Sequence, residues 1–255
     1  MADPVRNLRI LGRDLAKEPI NRLPTEMRKA CFICVNSYRS FRQNIGITPI
    51  GDAVAMAKCL KYFEYDVFYL HNPHARFFLN YLDFFFEHTY GHLIVYYVGQ
   101  GTTPEDLDNT IKKDFDEAFT FEDGRIVDED MAQHLTCSKH PDSIVTLITD
   151  TCKPNTCWSL TSGFVKGIEL PPRVMTLSAS PMVKASKSMM NLAQQQGIFT
   201  FNLTKELKKN PHITPNQLAE LMSKAMAEFT QTFTAYSSSP EILDEPLLMI
   251  EDLQV

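Results

Sequence analysis

The stretch 91–103, G-H-L-I-V-Y-Y-V-G-Q-G-T-T, decides how this chain is read. Residues 93–98 form an unbroken apolar run, rich in β-branched and aromatic side chains and closed by Gly99 and Gly101. A run this short and this uniformly apolar predicts a central strand buried on both faces. The two glycines allow a sharp turn at its carboxyl end and a close approach of backbone to a ligand. In open α/β sheets, sites are built at the carboxyl ends of strands. A second stretch of the same kind, S-I-V-T-L-I-T-D-T-C at 143–152, delivers an acid (Asp150) and a thiol (Cys152) at its own carboxyl end.

Outward from these two strands the pattern alternates. A first strand is predicted over 29–38, and Asp52 opens an amphipathic helix whose Val54, Met56, Ala57, Leu60 and Phe63 share one face. A short strand follows at 66–70, then a helix at 73–88 in which Phe77, Phe78, Tyr81, Leu82 and Phe85 keep a 3.6-residue period. Strand, helix, strand, helix, strand implies right-handed crossovers and a mainly parallel sheet with helices on both faces. Beyond the organising strand, Thr103-Pro104 predicts a short helix leaving the glycine turn. Asp123-Gly124 predicts a hairpin, and Asp128 caps a helix. A strand is expected at 173–177, a helix at 182–196, and at 197–202 either a strand or the start of the next helix. Thr214-Pro215-Asn216-Gln217 is a capping box that opens a helix running to residue 233, with an edge strand at 247–250. The expected organisation is an arm at 1–28, one domain at 29–236 and a tail at 237–255.

Composition narrows the function classes. The 255 residues are 44% hydrophobic and 22% charged with a net charge of -6, so basic binding of nucleic acid or anionic lipid is not expected. No apolar run approaches the roughly 20 residues of a membrane span. The polar start carries no secretory pattern, so a cytoplasmic location is expected. The six cysteines do not suggest a disulfide framework, and Cys31 and Cys34 read as buried free thiols within a strand rather than a metal or redox pair. Cys152 and Cys157 have no histidine beside them, and no metal or cofactor is expected.

The order of motifs resembles the caspase and metacaspase family of cysteine peptidases. Y-Y-V-G-Q-G-T stands where that family has the S-G-H-G motif of the catalytic histidine, and I-T-D-T-C-K-P-N where it has the nucleophile. F-E-D-G-R-I-V-D-E-D between them is similar to the family's hairpin and helix; V-M-T-L-S-A-S-P-M-V-K-A-S and G-I-F-T-F resemble later family elements, and G-D-A-V-A-M its first helix. The resemblance covers about residues 28–233. It implies a three-layer α/β/α sandwich around a mixed, mostly parallel sheet of about six strands.

By the same resemblance Cys152 takes the nucleophile position, and the backbone N–H groups of Gly101 and Cys152 would serve an oxyanion. Gln100 stands at the histidine position, Val98 replaces the motif serine, and Lys153-Pro154-Asn155 replaces His-Ser-Gly. Glutamine cannot take the thiol proton or protonate a leaving amine. At a thiol pKa of about 8.5, only a few per cent is thiolate at pH 7. Losing general acid–base help costs on the order of a hundred- to ten-thousand-fold in rate. His71 and His74, after the second strand, lie at the correct edge of the sheet; His88, His92, His134 and His140 lie at the wrong one. Asp52 and Asp150 match metacaspase positions that recognise a basic side chain before the cleaved bond. They read equally well as structural acids, Asp52 capping its helix and Asp150 bonding loop N–H groups.

The expected function is a pseudopeptidase that acts by binding or regulation on a peptide or protein, possible partners including an active metacaspase-like relative. The alternatives are an active cysteine endopeptidase with an unusual dyad and a preference for basic residues, and a scaffold without a peptide site.

Overall fold

The computed structural model describes residues 5–39, 45–102, 118–151, 164–165, 168–181, 190–191, 196–227, 229 and 231–250. In chain order the elements are α1 Arg6–Leu11, β1 Arg13–Asp14, β2 Met27–Val35, α2 Thr48–Tyr62, β3 Asp66–His71, α3 Ala75–His88 and β4 Thr89–Gly99. They continue with β5 Gly101–Thr102, β6 Ala118–Phe121, β7 Gly124–Val127, α4 Asp128–Ser138, β8 Ile144–Thr151, β9 Phe164–Val165 and β10 Ile168–Glu169. The last are β11 Val174–Pro181, β12 Met190–Asn191, β13 Gln196–Gly197, α5 Ile198–Lys209, α6 Pro215–Ala227 and β14 Gln231–Ser237.

A seven-stranded sheet of order β1-β3-β2-β4-β8-β11-β14 forms the middle layer. Every pair in it is parallel except β11 with β14. The organising stretch is the central strand β4, and along it the faces alternate. Val95 and Tyr97 pack with Phe32, Phe78, Phe85 and Leu147 on one side, while Ile94, Tyr96 and Val98 pack with Met56, Leu60, Phe199 and Met222 on the other. One face is therefore covered by α3 and α4, the other by α2, α5 and α6, which gives the three layers. Phe32 stacks between Phe78 (5.4 Å) and Phe85 (4.9 Å), so the aromatic stripe of α3 is its buried face. Cys31 and Cys34, on opposite faces of β2, are buried free thiols, and burial pushes both thiols up.

Several expectations are corrected. α2 starts at Thr48, not at Asp52, which lies inside the helix. α6 ends at Ala227 and the chain turns into β14 by Gln231, because pairing with β11 outweighs the helical reading of 228–233. The segment 247–250 is not a strand; it crosses the amino edge as a strap, with Leu247 and Leu248 buried and the Met249 N–H on the Tyr65 hydroxyl at 3.0 Å. Residues 198–202 are helical. The helix expected at 182–196 lies largely outside the described residues; where described, Met190–Asn191 pairs antiparallel with Gln196–Gly197. The helix after Thr103 and the 152–158 loop also lie outside them. The Asp123-Gly124 hairpin is present between β6 and β7, and the Thr214–Gln217 box closes reciprocally at 3.2 Å in both directions.

Candidate functional site

The carboxyl ends of β2, β3, β4 and β8 finish level with one another. Val35 sits opposite both His71 and Val98, Val98 opposite Asp150, and Gly99 opposite Thr151. Gln100 therefore leaves β4 beside Thr151, the last residue before Cys152, and Cys152 itself is outside the described residues.

The Gln100 backbone is fastened on both sides. Its N–H donates to the Tyr38 hydroxyl at 2.7 Å, and its carbonyl accepts the Thr120 N–H at 3.0 Å. The Tyr97 hydroxyl lies 2.9 Å from the carbonyl oxygens of both Gln100 and Thr120. Gly99 is required here for space rather than for a special φ. A Cβ on it would lie 3.0 Å from the Asn36 Cβ and 3.1 Å from each of the Tyr38 and Tyr97 hydroxyl oxygens. Gly101 follows in β5, opposite Phe119 of β6.

Each of the seven histidines is among the described residues, and none lies where β4 and β8 end. His92 is buried near the amino end of β4 between Tyr65 (2.6 Å) and Thr146 (2.9 Å), and burial lowers its pKa to about 3. His134 is held by Asp83 at 2.7 Å, and His88 by the Phe84 carbonyl at 3.0 Å. His140 precedes β8 at the amino edge, and His212 follows α5. His74 is exposed and paired with Asp123 at 3.1 Å. His71 does reach the carboxyl edge, with its Nε2 2.9 Å from the Ser37 hydroxyl. Two strands, β2 and β4, separate it from β8, a span of about 14 Å at ordinary strand spacing.

Asp52 and Asp150 are brought together. They converge on the start of α5, whose first N–H groups have no partner within the helix. The Gly197 N–H donates to Asp52 at 2.6 Å, and the Thr200 hydroxyl donates to Asp150 at 2.7 Å. A Cβ on Gly197 would sit 3.0 Å from an Asp52 oxygen and 3.5 Å from an Asp150 oxygen, so the two carboxylates face one point. Asp52 does not cap its own helix. Burial raises both pKa values, Asp52 well above the usual carboxylate range with the Asp150 charge adding to it, and Asp150 to about 6 against the pull of Thr200 and Tyr96. Thr200 and Tyr96 are the members of this site that sequence reasoning did not single out; only the fold brings them to Asp150.

Among the described residues no group of three or more His, Cys, Asp or Glu is placed to hold a metal, and no helix is long and apolar enough to cross a membrane.

Known proteins share this architecture. A Geobacter sulfurreducens protein is similar over 88% of this chain and 100% of its own, with a TM-score of 0.65 at 14% identity. Caspase-1 from Spodoptera frugiperda matches over 94% and 96%, with a TM-score of 0.60 at 11% identity. The structure of pro-sf-caspase-1 matches over 88% and 95%, with a TM-score of 0.60 at 12% identity. Identities this low carry the fold alone. No curated protein matches the sequence. The model of the caspase domain, however, matches residues 27–247, from the first strand of the parallel core to the strap that closes its amino edge. With the sheet order, the level ends of β4 and β8 and that match together, this chain belongs to the caspase-domain family.

Proposed function

We propose that the protein is a metacaspase-like pseudopeptidase, which binds a peptide or protein at the carboxyl edge of its sheet and does not cleave it. The observation that carries this reading is the absence of any imidazole where β4 and β8 end, with Gln100 fastened there by Tyr38, Thr120 and Tyr97. A cysteine peptidase needs a group that takes the thiol proton and later protonates the leaving amine. Glutamine supplies neither step. An active enzyme would have to recruit His71 across two strands and away from Ser37. The bound feature is a basic side chain, recognised by the acid pair Asp52 and Asp150. A partner could be any chain that exposes Arg or Lys, an active relative included, and Gly101 and Cys152 keep the family positions without completing a dyad.

Calorimetric titration with peptides ending in Arg and in Asp tests the binding half. Tighter binding of the Arg peptide is expected, and equal or absent binding of both would remove Asp52 and Asp150 as a recognition pair. A peptidase assay tests the other half. Robust wild-type cleavage that disappears in Cys152→Ala would overturn the pseudopeptidase reading.

A further inference from the structure

The two carboxylates at the start of α5 are unequally served. Asp150 is half-buried and accepts the Thr200 hydroxyl at 2.7 Å, which is itself backed by the Tyr96 hydroxyl at 2.6 Å. Asp52 is 3% exposed and has one donor among the described residues, the Gly197 N–H. Two like charges facing one point cannot both ionise cheaply, and the more exposed acid, held by a chain of two hydroxyls, keeps its charge. We propose that Thr200, polarised from behind by Tyr96, fixes Asp150 as the ionised member of the pair and leaves the shared proton on Asp52. The edge then presents a single negative charge, matched to one basic side chain and not to a divalent cation; that consequence rests on the recognition role given to the pair above.

The hydrogen-bond chain has one direction. The Thr200 hydroxyl spends its proton on Asp150, so Tyr96, 2.6 Å from Thr200 Oγ1, is the donor in that contact. Each link strengthens the next in a buried setting. The surroundings add no competing charge among the described residues. Val98 and Ala179 flank Asp150 in register on β4 and β11, and the first turn of α5 holds no acid. On this face Cys31, Cys59, Tyr65, Tyr69, Tyr96 and His92 are neutral at pH 7, and Lys29 stands at the opposite, amino end of β2. The pKa directions agree: burial raises Asp52 well above the usual carboxylate range, and the Asp150 charge is one of the causes. Thr200 and Tyr96 are thus positioning residues, acting through Asp150.

The test follows carboxyl 13C shifts against pH in the full chain labelled at aspartate, assigned with Asp52→Asn and Asp150→Asn. The expected result is Asp150 titrating near pH 6 with Asp52 still protonated at neutral pH. Thr200→Val should raise the Asp150 midpoint by about one pH unit or more, since a hydrogen bond to a charged group is lost. Tyr96→Phe should raise it less, and Thr200→Ser should restore it. Asp52 ionising first, or an Asp150 midpoint unmoved in both Thr200→Val and Tyr96→Phe, overturns the assignment. Should Thr200→Val fail to fold, the wild-type assignment and Tyr96→Phe still decide. Titration with N-acetyl-argininamide and with calcium chloride separates the two readings. No binding of the former alongside the expected carboxyl titration defeats the recognition role and leaves the proton assignment standing. Binding with Asp52 as the ionised acid does the reverse.

Discussion

The Tyr38 hydroxyl accepts the Gln100 N–H at 2.7 Å and passes its own proton to the Thr120 carbonyl at 3.0 Å. Tyr38 takes this position at a φ of 59°, a left-handed conformation that bulky residues rarely adopt. Asn72 holds it there, its Oδ1 accepting the N–H groups of Ser37 (2.8 Å) and Tyr38 (3.0 Å). The turn that presents Gln100 is thus secured from β2 and β3, by residues distant in the chain.

Tyr38→Phe removes the acceptor of the Gln100 N–H and one donor to Thr120, whose carbonyl keeps Asn36 and Tyr97. Leaving the N–H without a partner should lower stability by about 1–3 kcal/mol in chemical denaturation. An unchanged midpoint and slope would mean that the turn finds another partner for that N–H.

Gln100→His puts a titratable ring onto a backbone that the same contacts hold in place. Weak cleavage after Arg or Lys is expected from this variant and none from wild type. Val98 and the Lys153-Pro154-Asn155 loop still depart from the family motif, and a displacement of about 1 Å can cost on the order of a hundredfold. Adding Val98→Ser and the His-Ser-Gly loop should raise the rate further. A combined variant with no activity would show that the scaffold no longer holds a dyad geometry.

Gly197→Ala separates backbone need from crowding. Gly197 has φ -68° and ψ 150°, which any residue adopts, so the cost comes from the Cβ placed 3.0 Å from Asp52 and 3.5 Å from Asp150. A loss of about 1–3 kcal/mol is expected, with weaker binding of Arg-ending peptides. Wild-type stability and affinity would show that the two acids yield without consequence.

The buried His92 sets a pH dependence of known sign. Its folded pKa of about 3 lies below the unfolded value of about 6.5, because burial, then the Arg173 and Lys29 charges, disfavour the imidazolium. The unfolded chain therefore binds the extra proton, and stability falls as pH drops from 6.5 toward 3, by up to about 1.4 kcal/mol per unit. Asp128 and Asp150, both raised to about 6 chiefly by burial, act in the opposite sense and lose their contribution as pH rises toward 6. The difference in stability between wild type and His92→Gln isolates the histidine. A difference independent of pH between 4 and 7 would contradict its burial in neutral form between Tyr65 and Thr146.

What could be read from the chain alone was whatever repeats locally. The apolar runs of β2, β4 and β8 declare strands buried on both faces, the 3.6 period of α3 declares its packed stripe, and Asp123-Gly124 and the Thr214–Gln217 box mark a turn and a helix start. With the motif order, these were enough for the layers and for the edge at which Gln100 and Asp150 stand. The sequence also carried Asp52 and Asp150 as a pair, with two roles open for each. Tertiary structure decided where their oxygens go. Gly197 is 145 residues from Asp52, and Thr200 is 50 from Asp150. It likewise turned 231–237 into a strand, since pairing with β11 is a contact made across 50 to 62 residues. Periodicity records which face of an element is buried, because that depends on near neighbours in the chain. It holds no record of which distant backbone or hydroxyl will meet a given carboxylate, because that is settled only when the sheet order brings them to the same edge.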